Sequence, residues 1–163
     1  MTPTCDLYDD FGEVLHVLPA TLRHYGSIRA FHGPALTIKT FEVNSRVKEL
    51  ANRPGEGRVM VVDGGGSLRR ALCGDMIAAE AAAHGWAGMI IWGAVRDVDQ
   101  LAETPIGIMA SGHTPRRCVR KAEGEVGADL LVDGVPVATG DYIVADADGA
   151  LVFAKDGPQP AFR

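Results

Sequence analysis

Asp75, Arg96 and Asp97 are the side chains in this 163-residue sequence whose types and spacing could do chemistry together. Asp97 is a candidate ligand for a hard divalent cation such as Mg²⁺, or Mn²⁺ in its place. Such an ion takes few protein carboxylates and keeps waters and substrate oxygens as its other ligands. An aspartate ahead of the helical stretch 98–102 is also a good N-cap, so residue type alone leaves both readings open. Arg96 carries a fixed fork of donors and a charge that does not titrate, which suits a carboxylate or an enolate oxygen. Its plainer alternative is a surface arginine paired with Glu103 or Asp99, a contact worth at most about 1 kcal/mol. Asp75, Met76 and Ile77 open another helical stretch, whose free N–H groups and positive dipole end suit a substrate carboxylate. Gly74 leaves the backbone there open to close approach. Asp75 itself is too negative to carry the substrate's charge and is assigned to metal-bound waters, with a plain helix cap as the other role.

These residues need elements to position them. Residues 59–62 and 89–92 read as buried strands with a helix over 75–84 between them, a βαβ unit. In such units ligands collect beyond the carboxyl ends of the strands. The turn Gly64 to Ser67 and the stretch Gly93 to Asp97 are therefore expected to meet at one crevice. A nucleotide or S-adenosylmethionine reading of the glycine run fails on detail, because G-x-G-x-x-G needs glycine where the sequence has Arg69, and no phosphate-loop Gly-Lys-Ser/Thr occurs. The glycines instead predict a tight turn with positive φ into residues 68–73. Around this unit the pattern predicts a first helix over 5–18 with Thr4 as N-cap, and a strand over 35–41 after Gly33-Pro34. A short helix capped by Asn44 or Ser45 should run through Leu50, and a further strand over 106–109. Asp133-Gly134 and Asp148-Gly149 signal turns between apolar strands, so the C-terminal third should be β-rich. The order predicts an α/β domain with a mixed sheet layered with helices.

Composition limits the alternatives. A chain of this length with 47% hydrophobic and 23% charged residues predicts one domain, 1–163. The formal net charge of −5 argues against direct nucleic-acid binding, and the pairs Arg69-Arg70 and Arg116-Arg117 are too short to reverse it. There is no membrane-length apolar run and no signal pattern near Asp6, Asp9 and Asp10, so a cytoplasmic protein is expected. Cys5, Cys73 and Cys118 read as free thiols. His16, His24, His32, His84 and His113 lack paired ligand spacing, and only His113 could lie near a pocket. Trp86 and Trp92 read as core or interface anchors. No Gly-x-Ser-x-Gly elbow supports serine hydrolysis.

Several segments carry a family resemblance. They are Gly33-Pro34-Ala35, Val62-Asp63-Gly64-Gly65-Gly66-Ser67, Ala71-Leu72-Cys73-Gly74-Asp75, Gly93-Ala94-Val95-Arg96-Asp97, Ile106-Gly107-Ile108, Gly140-Asp141-Tyr142 and Ala145-Asp146-Ala147-Asp148-Gly149. In order and spacing they resemble the family named for the regulator of ribonuclease E activity A, the RraA-like family, which includes class II 4-hydroxy-4-methyl-2-oxoglutarate aldolases. In the aldolase members an aspartate is followed after twenty residues by Arg-Asp, a spacing that Asp75 and Arg96-Asp97 keep. An acidic residue three positions later is replaced here by Gln100, with Asp99 one place early.

The resemblance implies a swivelling β/β/α domain of phosphohistidine-domain type, assembled as a homotrimer or hexamer with sites at subunit boundaries. It implies a divalent-metal-dependent lyase that releases pyruvate from short 2-oxo dicarboxylic acids through a metal-stabilised enolate, as 4-hydroxy-4-methyl-2-oxoglutarate aldolase and oxaloacetate decarboxylase. Asp97 would hold the metal, Arg96 and Asp75 would be catalytic, and Gly74, Asp75, Met76, Ile77 and Arg96 would bind substrate. Gln100 weakens the aldolase reading more than the decarboxylase one, since only aldol cleavage needs a proton taken from a hydroxyl. The alternative, which the family's namesake represents, is a non-catalytic protein that binds ribonuclease E-type machinery and inhibits RNA turnover; Asp97 favours the enzyme over that binder. A demethylmenaquinone methyltransferase would need a cofactor loop that this sequence lacks.

Overall fold

The apolar residues of the central strands alternate between two cores, and this alternation sets the layers. The structure, a computed structural model, describes residues 1–161. It begins with helix α1 (Thr4–Phe11) and a 3₁₀ turn, followed by the short strands β1 (His16–Val17) and β2 (Arg23–His24). Next come β3 (Phe31–Lys39), α2 (Ser45–Ala51), β4 (Val59–Asp63), β5 (Ala71–Cys73), α3 (Asp75–Ala83), β6 (Gly88–Val95), α4 (Val98–Leu101) and β7 (Gly107–His113). The C-terminal part is all strand: β8 (Glu125–Val126), β9 (Leu130–Val132), β10 (Val135–Val137), β11 (Tyr142–Asp146) and β12 (Gly149–Phe153).

The main sheet runs β1-β12-β11-β3-β4-β6-β7-β2, with β5 added to β6 and β8 to β3. Its centre, β3, β4, β6 and β7, is parallel, and the flanks are antiparallel. Met60, Val62, Met89, Ile91 and Ile108 face one core with Val47, Leu50, Ala78 and Ala81 of the helices. Their neighbours Val59, Val61, Ile90 and Met109 face another, filled by Leu130, Val137, Ile143 and Val152 from the C-terminal strands. Both faces are thus covered, which is why β4 and β6 read as continuous apolar runs. A smaller third cluster packs α1 onto the C-terminal hairpin through Leu7, Leu15, Leu151 and Phe153. No helix of the described residues is long and apolar enough to cross a membrane.

β3 changes partners along its length. Phe31 to Pro34 pair with β11, whereas Ala35 to Lys39 pair with β4. Gly33 and Pro34 therefore lie inside the strand, which starts four residues earlier than the pattern over 35–41 predicts and stops at Lys39. Gly33 is needed there, since a Cβ would lie 2.1 Å from the Gly57 carbonyl oxygen. The expected helix over 5–18 stops at Phe11 because Gly12 adopts a positive φ of 60°, and Leu15 and Leu18 reach the core from extended chain instead. Pro3 takes the N-cap position, and Thr4 spends its hydroxyl on Asp146.

The βαβ unit forms as read, with the second strand longer (88–95) and an additional strand at residues 71–73, within the stretch that the glycine turn leads into. The 106–109 strand likewise extends to His113. The short helix begins after Asn44, which makes no side-chain cap. Ser45 instead binds the Glu123 backbone through both its donor and acceptor capacity. Both hairpin signals hold. Asp133 and Gly134 have φ of 48° and 81°, the positive pair a tight two-residue hairpin demands. The second turn is centred one residue early, on Ala147-Asp148, because Asp146 pairs with Gly149.

Candidate active site

The start of α3 and the end of β6 are brought together by β5. This strand pairs with Ala94 and Val95, and the Cys73 carbonyl accepts the Arg96 amide at 2.9 Å. The chain then leaves β6 through Asp97, whose backbone is left-handed at φ 58°, ψ 45°, a conformation aspartate tolerates better than most residues. That turn decides where the carboxylate goes. Asp97 occupies the N-cap position of α4 but makes no side-chain cap to it. Its Oδ2 instead accepts the Asp75 amide at 3.1 Å and lies 3.9 Å from Arg96 Nε. Gly74 is a steric requirement of this approach, because a Cβ would lie 2.5 Å from Asp97 Oδ2 and 3.3 Å from Arg96 Cγ.

Gly74, Asp75, Met76, Ile77, Arg96 and Asp97, all singled out from sequence, line one cleft of about 690 Å³. Arg96 pairs with Asp97 and forms no ion pair with Glu103 or Asp99, so the surface-pair alternative does not occur. One expectation is corrected in part. The Asp75 amide is taken by Asp97 and the Met76 amide by Asp75 Oδ1 at 2.8 Å, so at most the Ile77 amide of the three remains for a substrate carboxylate.

The glycine turn does not join this cleft. Gly64 and Gly66 donate their amides to the Trp92 carbonyl, and a Cβ on Gly66 would press on the Trp92 ring at 3.1 Å. Gly65 borders a separate depression beside Phe41 and Asp63. Gly65 and Gly66 do adopt the positive φ expected of a tight turn, 68° and 71°. Gln100 is exposed on α4 and lies outside the cleft lining. Among the histidines, His113 pairs with the Tyr25 hydroxyl at 3.1 Å, outside the cleft. Trp86 is a core anchor whose indole N–H donates to the Leu50 and Arg53 carbonyls.

Two buried thiols adjoin the site, Cys73 beneath it and Cys118 in the cleft lining itself. Burial, and next the Asp97 charge, pushes Cys73 up to about 12, and burial pushes Cys118 up to about 11. Both are therefore held in the thiol form near neutral pH.

The opposite wall was not foreseen from sequence. Arg117, Arg120 and Lys121 follow β7, and Lys48 projects from α2, all onto the same cleft. The only signal was the position of Arg116-Arg117 a few residues beyond the carboxyl end of a parallel strand.

The donor set fits a hard divalent cation. Asp97 Oδ1 and Asp75 Oδ2 have no protein donor among the described residues, and both carboxylates border the cleft. No group of three or more His, Cys, Asp or Glu is assembled among the described residues. An ion held here would thus depend on one or two carboxylates plus water and substrate oxygens, which suits Mg²⁺ and does not suit a closed zinc site.

Comparison with known proteins agrees with the residues quoted above. A family model described as RraA-like, Aldolase/RraA, matches residues 4–152. Among relatives, a protein of Alkalilimnicola ehrlichii named "Putative 4-hydroxy-4-methyl-2-oxoglutarate aldolase" is 45% identical over 92% of this chain and 93% of its own length. One of the same name from Xanthomonas campestris pv. campestris is 48% identical over 93% and 90%. Among solved structures, the RNA-processing inhibitor RraA from Thermus thermophilis superposes with a TM-score of 0.92 at 39% identity, covering 99% of this chain and 97% of that one. A structure described as an S-adenosylmethionine: 2-dimethylmenaquinone methyltransferase from Geobacillus kaustophilus gives 0.89 at 41%, covering 95% and 96%.

Proposed function

The chain belongs to the RraA-like family, and from that premise we propose that it is a divalent-metal-dependent lyase releasing pyruvate from short 2-oxo dicarboxylic acids. The substrates we assign are 4-hydroxy-4-methyl-2-oxoglutarate, by aldol cleavage, and oxaloacetate, by decarboxylation. The observation that carries the reading is the convergence of Asp97, Asp75 and Arg96 across Gly74, a glycine that this approach requires. The names of the aldolase relatives support the same class.

Asp97, with Asp75 beside it, would hold Mg²⁺ or Mn²⁺, and the bound cation would supply Lewis acidity to the substrate's 2-oxo group. The remaining chemistry falls to the chain. Arg96 is 42% exposed at its side chain, open enough to reach substrate, and its guanidinium meets the negative charge that develops on the carbonyl oxygen as the C–C bond breaks. The Ile77 amide at the start of α3 offers a donor to the substrate carboxylate. Asp75 positions the water that takes the 4-hydroxyl proton in the aldol reaction. In decarboxylation the bond electrons pass to the same oxyanion while CO₂ leaves, and no base is needed. Gln100 lies outside the cleft lining of its own chain. Within the same reading the protein is cytoplasmic, assembles as a homotrimer or hexamer, and its layered sheet is of the swivelling β/β/α type.

A second reading, inhibition of ribonuclease E-type RNA processing, is favoured by the name of the Thermus neighbour. The methyltransferase name finds no counterpart here, since the glycine turn is filled by Trp92.

The test is a lactate dehydrogenase-coupled assay for pyruvate on both substrates with and without Mg²⁺. Asp97→Asn keeps a side chain that tolerates the left-handed backbone and should abolish turnover. Undiminished wild-type activity in EDTA, or an active Asp97→Asn, would remove the metal mechanism. Absence of any turnover, with slowed RNA cleavage when the protein is added to ribonuclease E, would select the second reading.

A further inference from the structure

The cleft is cationic in an acidic protein. Five basic residues line it, Lys48, Arg96, Arg117, Arg120 and Lys121, against the two carboxylates Asp75 and Asp97, although the chain carries a formal charge of −5. Arg96 sits with the carboxylates. On the other wall, Lys121 is 3.9 Å from Glu123, but among the described residues Lys48, Arg117 and Arg120 have no ion-pair partner. Unpaired cations concentrated on one wall of a concave site leave their charge for whatever enters it.

That wall is built, and its main chain is tied down on both sides. Arg70 donates to the Arg117 carbonyl at 3.1 Å, the Ala71 amide to the Arg116 carbonyl at 2.8 Å, and the Cys118 thiol to the Ala71 carbonyl at 2.8 Å. These contacts fasten residues 116–118 to β5, the strand that leads directly into Gly74. Further on, the Val119 amide donates to the Glu42 carbonyl at 3.0 Å, and Ser45 and Arg46 of α2 bind the backbone of Glu123 and Gly124. The segment therefore bridges β5 and α2, and α2 contributes Lys48 to the same wall.

Resting on the lyase reading above, we propose that Arg117 and Arg120, with Lys48, form the subsite for the far carboxylate of the substrate, and so set selectivity for dicarboxylic over monocarboxylic 2-oxo acids. The two ends of such a substrate have different needs. The 2-oxo acid end meets Asp97, Asp75 and Arg96; the far end carries a second negative charge, and Lys48, Arg117 and Arg120 are the cleft cations that have no ion-pair partner among the described residues. Arginine suits this role, since its fork binds a carboxylate in a bidentate manner.

Binding, rather than turnover, separates this proposal from the reaction assigned above. Calorimetric titration in Mg²⁺ would compare 2-oxoglutarate with 2-oxobutyrate, which lacks the second carboxylate. Wild type should prefer 2-oxoglutarate by about tenfold or more, as expected for a charge-assisted contact. The double variant Arg117→Ala/Arg120→Ala should lose that preference while keeping its affinity for 2-oxobutyrate within about twofold. Arg117→Lys should keep part of the preference. Equal binding of the two acids by wild type, or an undiminished preference in the double variant, would overturn the proposal. So would a parallel loss for both acids, which would mark the arginines as structural. If the preference behaves as stated but no pyruvate is ever released, the lyase reading fails and the subsite stands.

Discussion

At Gly74 a single hydrogen atom separates a working arrangement from a blocked one. Its φ of −129° is open to any residue, so the requirement for glycine is purely the approach of Asp97 and Arg96. Gly74→Ala is therefore predicted to fold normally, judged by circular dichroism, while losing pyruvate release as the Asp97 carboxylate is pushed aside; a variant with wild-type kcat would show that the carboxylate is free to move. Arg96→Ala should lower kcat by about 10²–10³, the usual cost of one preorganised donor at a developing oxyanion. Arg96→Lys should recover only part of this, because the fork is gone. If instead KM rises and kcat holds, Arg96 serves ground-state binding alone. The grouping of Asp75, Arg96 and Asp97 was legible in the sequence because their spacing matches that of the aldolase members, and the structure brings the three together at one cleft. What spacing could not convey was the left-handed turn at Asp97, which gives its carboxylate to α3 rather than to the helix it precedes. Arg117 and Arg120 stayed hidden for a related reason: they reach the cleft only through tertiary pairing with β5.

Among the elements, α1 is held to the C-terminal hairpin by one carboxylate in addition to the apolar contacts of Leu7. Asp146 accepts the Thr4 amide and hydroxyl, both at 2.7 Å, and the Asp148 amide at 3.0 Å. Partial burial works against its ionisation, but these hydrogen bonds outweigh it and hold the carboxyl below its ordinary value of 3.8. A depressed folded-state pKa means that the stabilisation is present above the ordinary value and disappears as pH falls through the lower one. Asp146→Asn should therefore melt below wild type at neutral pH, and the gap in Tm should close as the pH drops beneath about 3.8. A gap that is independent of pH would show that the contact acts through shape and not charge. The turns around this hairpin and at Asp133-Gly134 were readable from local residue chemistry. The length of α1 was not, since the apolar spacing continues past Phe11 and only the backbone at Gly12 breaks it. The glycine turn at 64–66 does meet the Gly93 end of the 93–97 stretch, as expected, but its attachment to the Trp92 carbonyl leaves it outside the cleft that Arg96 and Asp97 line.

For the whole molecule, the contrast between an overall charge of −5 and a cleft with five basic groups predicts a salt dependence. Added NaCl should lower kcat/KM for oxaloacetate by screening its approach over a Debye length of about 8–10 Å, while kcat holds. A flat response would mean that the cleft charge does not guide entry. The layering of the sheet was foreseeable in kind, as a mixed sheet with helices, yet the covering of its second face by the C-terminal strands was not. Alternation of Val59 and Val61 with Met60 and Val62 gives no sign of which layer each side meets. The partner change within β3 carries a consequence for synthesis on the ribosome. Ala35 to Lys39 can pair with β4 once residue 63 has emerged, but Phe31 to Pro34 must wait for Tyr142 to Ala145. For most of translation that stretch is an open strand edge, of the sort that recruits other nascent chains. Pro34, which has no N–H to offer a stranger, closes the exposed stretch as its guard.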